Sequence, residues 1–163
     1  MKAHSALTPQ ARSAIPLAAR TLLDVNVLIA LLDPDHAASS RAHAWFAAHE
    51  GGVATCPIVQ NGVVRILSQP TYSKTAQYSV QTIVQLLRDF CTATDHQFWP
   101  DAVELINDHV LDDSRLRGPR QITDAYLLAL AVANGGQLVT FDSAIVATVA
   151  VVRGANAAHV MVL

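Results

Sequence analysis

The chain has 163 residues, of which 52% are hydrophobic and 15% are charged, and its formal net charge at pH 7 is −2. This composition excludes a disordered chain, and the length fits one domain with a sizeable core. The weak acidic balance argues against a large basic surface for duplex nucleic acid, but it is compatible with an enzyme that grips a short single strand through a few arginines. No apolar run reaches the roughly 20 residues needed to cross a bilayer, and the first twenty residues lack a signal peptide's apolar centre, so we expect a cytoplasmic protein with no membrane partner.

Strands and helices are predicted to alternate after an N-terminal extension of weak structure, residues 1–20, which Pro9 and Pro16 interrupt. The domain proper is predicted to span residues 21–163. Its strands are predicted at 21–24, 53–55, 97–99, 137–140 and 160–163. Its helices are predicted at 26–32, 39–49, 58–67, 75–90, 102–106 and 123–134, with a charged loop over 112–120. Pro57 suits the first turn of the third helix, and two Gly-Gly pairs end the second and the last.

This alternation predicts the fold class. Strands separated by helices indicate an α/β domain with three layers, α/β/α, around a mostly parallel sheet of four to five strands. In such sheets, ligand sites form beyond the carboxyl ends of the strands.

Three aspartates are predicted to meet at that edge of the sheet. Asp24 follows the first predicted strand, Asp142 follows the fourth, and Asp124 stands at the start of a strongly apolar helix. Carboxylates that converge in an apolar setting repel one another unless a cation lies between them, which points to a divalent metal. The alternative is that each aspartate only caps a helix or turn by accepting free backbone N–H groups.

Four segments, in this order, carry a resemblance to a known family. They are LDVNVLIA (23–30), CPIVQNGVVR (56–65), ITDAYLLALA (122–131) and VTFD (139–142). Together they closely resemble the motifs of PIN-domain ribonucleases and, within that family, of VapC-type toxins from bacterial toxin–antitoxin pairs. The resemblance covers essentially everything after the extension.

The resemblance implies an endoribonuclease that depends on Mg²⁺, for which Mn²⁺ can substitute. In the family, acids at the positions of Asp24, Asp124 and Asp142 hold the metal, which activates a water for attack on the RNA phosphodiester. Asn26 would support the first ligand. The resemblance also implies a small antitoxin partner that covers an apolar groove, and a homodimer.

The chain departs from the family pattern at Gln60, where the family usually has Glu. An amide keeps an oxygen but removes one negative charge, so a second divalent ion would bind less well. Gln60 is therefore predicted to be a weaker participant in catalysis. The alternative is a catalytically weakened PIN module that binds RNA or antitoxin without efficient cleavage. A less favoured interpretation of Gln60 is an ordinary surface position on its helix.

Other residues have open roles at this stage. Arg65, at a position where the family also has arginine, is compatible with packing, pairing with a carboxylate or contacting RNA, and the structural role is favoured. Arg115, Arg117 and Arg120 lead into Asp124 and are candidates for holding the RNA backbone, with Arg120 preferred; an ordinary solvated loop is an equally favoured alternative. Trp45 and Phe46 are predicted to be core residues, although one of them could line an apolar groove.

A phosphatase with Asp24 as its nucleophile is a further alternative. That chemistry favours a second acid two residues later, where this chain has Asn26. No glycine loop for a nucleotide phosphate is present either, because the two Gly-Gly pairs end helices.

Overall fold

Five strands and six α-helices alternate in the parts of the chain that the computed structural model describes, residues 19–73 and 77–163. The strands are β1 (Thr21–Leu23), β2 (Val53–Thr55), β3 (His96–Phe98), β4 (Gln137–Thr140) and β5 (Val160–Val162). The helices are α1 (Val25–Leu32), α2 (Ser39–Ala48), α3 (Pro57–Leu67), α4 (Val80–Ala93), α5 (Gln121–Ala133) and α6 (Ile145–Thr148). The predicted extension lies, as far as residue 18, outside the described residues.

The strands form one sheet in the order β3-β2-β1-β4-β5, and every pair is parallel. β1 lies at the centre and is buried along its whole length, with Leu22 aligned to Ala54 of β2 and to Leu138 of β4. A strand that is covered on both faces favours a continuous apolar run over an alternating one. The α/β class and the mostly parallel five-stranded sheet are therefore confirmed.

The helices pack in two groups around this sheet. In one group α1 contacts α2 and α3, and α3 contacts α4; in the other, α5 contacts β1, β4 and α6. The middle of α5, from Ala125 to Ala131, is buried throughout, as the predicted apolar helix requires. None of the described helices is long and apolar enough to cross a membrane.

The predicted helix at 102–106 is wrong. Residues 102–104 have no regular structure, and Leu105-Ile106 form a turn that the N–H of Asn107 closes by donating to the carbonyl of Glu104 at 3.2 Å. A second turn follows, in which the backbone N–H groups of Val110 and Leu111 both donate to the carbonyl of Asn107. The Asn107 side chain also accepts from the N–H of His109, at 2.9 Å. A five-residue segment gains too few helical hydrogen bonds to offset nucleation, and a side chain that bonds locally to the backbone stabilises a turn instead.

Two further differences concern α4, whose boundaries differ, and α6. The fourth helix is predicted at 75–90, and residue 75 lies outside the described residues. In the structure α4 runs from Val80 to Ala93. It begins there because the Ser79 side chain caps it by accepting from the N–H of Thr82. The one-turn helix α6 was not predicted. The predicted loop at 112–120 is confirmed, apart from one 3-10 turn at Asp113–Arg115.

Candidate active site

The carboxyl ends of β1 and β4 bring two of the predicted aspartates to the same edge. Asp24 directly follows β1, Asp142 comes two residues after β4, and the two strands pair in parallel. The backbone N–H of Asp24 extends this pairing by donating to the carbonyl of Val139, at 3.0 Å. Asp124 lies in the first turn of α5, the helix that packs against both strands. The topology therefore brings the three acids to the same end of the sheet, and their role as metal ligands stays a prediction.

Asp24 is both a helix cap and a member of the cluster. One carboxyl oxygen, Oδ1, accepts from the N–H of Val25 at 2.7 Å and caps α1. The other, Oδ2, accepts from the hydroxyl of Thr140 at 2.8 Å. Burial raises the pKa of Asp24, the bonds from Thr140 and Val25 oppose that rise, and the charge of Asp142 adds to it. The side chain is thus fixed in orientation while its ionised form is disfavoured.

Asp124 is held in a similar electrostatic environment without capping its helix. Arg120 occupies the N-cap position of α5, so capping does not explain why an acid stands at 124. Burial, and then the charges of Asp24 and Asp142, raise the pKa of Asp124 to about 6. Within the described ranges, no ion pair with Lys, Arg or His neutralises any of the three acids. Among the residues that the structure describes, the cluster therefore carries negative charge without a counterion.

The donor set suits a hard divalent cation. Three carboxylates offer the oxygen ligands that Mg²⁺ and Mn²⁺ take, and they repel one another when no cation is present. Among the described residues, no three His, Cys, Asp or Glu side chains converge as a formed metal site. Mg²⁺ keeps several waters and usually takes only one or two direct carboxylates, so it does not require all three acids as simultaneous ligands.

Gln60 is placed differently from the three aspartates. Its amide donates to the hydroxyl of Thr55 at 3.0 Å, and that hydroxyl lies 2.8 Å from Nε2 of His96. Its side chain also lines a cavity of about 950 Å³ between α3, α4 and β3. No hydrogen bond in the described part of the chain joins Gln60 to Asp24, Asp124 or Asp142, so its part in catalysis stays a prediction.

Comparison with known proteins identifies the domain. A model of the PIN domain matches residues 21–151. The chain belongs to the PIN-domain family. It is 48% identical over 145 residues to the ribonuclease VapC44 of Mycobacterium tuberculosis, covering 88% of this chain and 99% of that protein. It is also 43% identical over 122 residues to the ribonuclease VapC29 of the same organism, covering 75% and 85%. Within the PIN domains, the chain therefore belongs with the VapC ribonucleases.

A solved structure supports the same fold. The crystal structure of M. tuberculosis VapC20, a toxin described as cleaving the sarcin-ricin loop, superposes with a TM-score of 0.56 and 16% sequence identity. The match covers 77% of this chain and 92% of VapC20. At this identity, the likeness shows that both chains share the PIN architecture.

The arginines before α5 of this PIN domain are not equivalent. Arg115 pairs with Asp112 at 3.0 Å and also donates to the carbonyl of Ala150 at 3.3 Å. Arg117 and Arg120 are exposed and form no ion pair in the described ranges. Of the three predicted RNA contacts, these two have their guanidinium groups available, whereas Arg115 is engaged in holding the loop.

Arg65 and Asn26 are also exposed. Arg65 lies where the large cavity meets a smaller groove that Asp101 also lines, and it forms no ion pair within the described residues. The favoured structural role of Arg65 is thus not supported by a contact in the PIN domain, and its guanidinium is open to a ligand. The predicted support of Asp24 by Asn26 is not supported by a hydrogen bond and stays a prediction.

Trp45 and Phe46 pack as predicted for core residues. The indole of Trp45 stacks on His49, with ring centroids 4.9 Å apart, and its Nε1 donates to the sulfur of Met161 at 3.0 Å. Phe46 lies against Phe90, with centroids 6.0 Å apart. Both rings are half-buried against the core of the PIN domain, so packing accounts for both residues.

Thr140 is the functional residue that the sequence analysis missed. Its buried hydroxyl donates to Asp24 and accepts from the backbone N–H of Asp142 at 3.1 Å, so one side chain positions both acids. The available signal was a hydroxyl residue at the end of β4, two positions before Asp142.

We expect Thr140→Val, which keeps the side-chain shape, to lower the free energy of unfolding by about 1 to 3 kcal/mol, because a buried carboxyl oxygen and a backbone N–H both lose their partner. Urea unfolding in EDTA measures this change. Thr140→Ser keeps the hydroxyl and serves as the matched control. Equal stability of the Val and Ser variants would contradict the bridging role.

Proposed function

We propose that this PIN domain is a metal-dependent endoribonuclease and the toxin of a toxin–antitoxin pair, active in the cytoplasm. One observation carries the proposal: Asp24, Asp124 and Asp142 lie close enough for the charge of one to raise the pKa of another, and none of them forms an ion pair within the described residues, in a chain that belongs with the VapC ribonucleases. RNA is the substrate that the names of the relatives indicate.

The three aspartates would hold Mg²⁺, or Mn²⁺ in its place. When bound, the cation supplies an activated water for in-line attack at phosphorus and offsets the negative charge that develops there. The chain's own residues position this chemistry. Thr140 fixes the carboxylate of Asp24, and the exposed Arg117 and Arg120 stand near the start of α5 as cationic contacts for RNA phosphates.

The proposed protein partners are a small antitoxin and a second copy of the chain. The cavity between α3, α4 and β3 offers a surface for the antitoxin, because Val80 and Phe98 line it and each is 48% exposed. Large apolar side chains at the rim of a groove are a common feature of protein-binding surfaces. Size-exclusion chromatography of the chain alone and with a candidate antitoxin distinguishes the two assemblies.

Incubation of total cellular RNA with the purified chain tests the function. The reactions contain Mg²⁺, Mn²⁺ or EDTA, and Asp142→Ala, purified in the same way, controls for contaminating nucleases. Discrete fragments that require the metal and are absent with the variant support the proposal. Fragments that persist in EDTA, or that the variant also produces, would refute it.

The alternative, a weakened module that binds RNA or antitoxin without efficient cleavage, rests on Gln60. We expect Gln60→Glu to change cleavage by less than about threefold, which is under about 0.7 kcal/mol of barrier. The reason is that residue 60 bonds Thr55 and not the three aspartates. Gln81→Glu, on the exposed face of α4, adds the same charge elsewhere and is the control. A gain of about tenfold or more, about 1.4 kcal/mol, for Gln60→Glu alone would favour the weakened module.

A further inference from the structure

Phe141 lies between two residues of the site and carries an arrangement that the proposed chemistry does not use. Its backbone is fixed on both sides, because the Thr140 hydroxyl accepts from the N–H of Asp142 and the Asp142 carboxylate accepts from the N–H of Ala144, at 2.8 Å. The ring is half-buried and packs against the core. Side chains that stack on the Phe141 ring are therefore kept at a constant position relative to the backbone of Asp142.

The ring holds a cation and a second nitrogen donor. The guanidinium carbon of Arg41, in the first turn of α2, lies 4.6 Å from the ring centroid. The imidazole of His36, from the loop before α2, stacks on the same residue at 6.4 Å with an interplanar angle of 18°. A guanidinium that stacks on an aromatic face keeps its N–H groups free at its edge.

Among the described residues, the side-chain N–H groups of Arg41 and His36 donate to no other side chain or backbone group. Arg41 is exposed and forms no ion pair in the described part of the chain, although an aspartate immediately follows the ring on which it lies. Nδ1 of His36 accepts from the N–H of Ala38 at 3.1 Å. That bond requires an unprotonated Nδ1, so the ring proton resides on Nε2, which faces no partner among the described residues.

This chemistry suits one kind of ligand. Arg41 and His36 already occupy the aromatic ring, so the groups left for a ligand are N–H donors, which match the oxygens of a phosphate better than the face of a base. The three aspartates repel an RNA backbone, and a cation stacked on the residue before Asp142 offsets that repulsion. Because the ring holds the guanidinium, Arg41 does not neutralise the carboxylate that the metal requires.

We propose that Arg41 and His36, held by Phe141, form a subsite for an RNA phosphate next to the phosphate that is cut. The inference rests on the proposed function and deepens it. Arg41 and His36 are positioning residues that set where the strand lies relative to Asp142. Arg41 of this subsite lies in α2, whereas Arg117 and Arg120 precede α5.

Equilibrium binding of a fluorescent single-stranded RNA of mixed sequence, in EDTA and over a range of salt concentrations, tests the subsite. We expect Arg41→Ala to weaken binding about tenfold at low salt and to reduce the slope of log affinity against log salt by about 0.7, the value for one phosphate contact on a single strand. Arg41→Lys keeps the slope and recovers part of the affinity, since it retains the charge but not the planar fork. Arg88→Ala, which removes an exposed arginine that bonds Gln85 on α4, leaves the slope unchanged.

The outcomes separate this inference from the proposed function. If the wild-type chain cleaves RNA and Arg41→Ala binds RNA like Arg88→Ala, the subsite is wrong while the nuclease stands. If the wild-type chain binds RNA with an Arg41-dependent slope but cleaves none in Mg²⁺ or Mn²⁺, the subsite stands and the nuclease does not. Absence of RNA binding by the wild-type chain, or a lower unfolding midpoint for Arg41→Ala with an unchanged slope, refutes the subsite.

Discussion

Asp124→Asn is expected to stabilise the metal-free protein at pH 7.5 while it abolishes cleavage. Burial and the neighbouring carboxylates raise the pKa of Asp124 from 3.8 to about 6. Because this pKa is raised in the folded state, the contribution of Asp124 to stability is fully present below about pH 4 and is lost as the pH rises through about 6. A difference of about two units corresponds to at most about 3 kcal/mol, and partial exposure and screening reduce it to about 1 to 2 kcal/mol.

The variant also loses a favourable interaction between a negative charge and the start of α5, which is worth about 0.3 to 1 kcal/mol and is smaller than the gain from removing a charge that burial and its neighbours disfavour. Urea unfolding in EDTA should therefore find Asp124→Asn more stable than the wild type at pH 7.5 and about equal at pH 4. Mg²⁺ should stabilise the wild type more than the variant. Asp35→Asn, which removes an exposed acid from the loop after α1, is the control. A variant that is less stable at pH 7.5 in EDTA would contradict the electrostatic account.

Asp24→Asn and Asp24→Ala separate the two roles of Asp24. Asparagine is as good an N-cap as aspartate, and its side-chain oxygen can still accept from the N–H of Val25, whereas alanine loses the cap at a cost of about 1 kcal/mol. If the negative charge of the Asp24 carboxylate holds the cation, both variants should cleave RNA about 10²- to 10³-fold more slowly. Only the alanine variant should show the loss of the cap in its free energy of unfolding.

Cleavage rates measured at saturating Mg²⁺, beside urea unfolding of the same preparations, check this expectation. If Asp24→Asn cleaved RNA at nearly the wild-type rate while Asp24→Ala did not, the capping role alone would explain Asp24. Asp35→Asn again controls for the removal of a negative charge.

The positions of the three aspartates could be predicted from the sequence because they depend on topology. Short buried runs such as Leu22-Leu23 and Leu138-Val139 indicate parallel strands, and the carboxyl ends of parallel strands meet at one edge. The helix at 102–106 could not be excluded, because five residues of mixed character do not distinguish a short helix from an irregular stretch that ends in a turn.

The side-chain contacts around the three aspartates could not be predicted from the sequence. The bridge from Thr140 to Asp24 depends on the register between β4 and β1, and the contact between Arg41 and Phe141 joins residues a hundred positions apart. Gln60 shows the same limit, since its helix was predicted but the hydrogen bond from its amide to Thr55 was not. Side-chain partners across elements follow from packing, which periodicity does not encode.

Titration of Mn²⁺ into the metal-free chain, followed by electron paramagnetic resonance, tests most directly whether the three aspartates form one cation site. We predict that each chain binds one Mn²⁺ at pH 7.5, that Mg²⁺ displaces it, and that Asp24→Asn and Asp124→Asn each abolish the binding while Asp35→Asn does not. Binding that is unchanged in both site variants, or a wild-type chain that binds no Mn²⁺, would contradict the account.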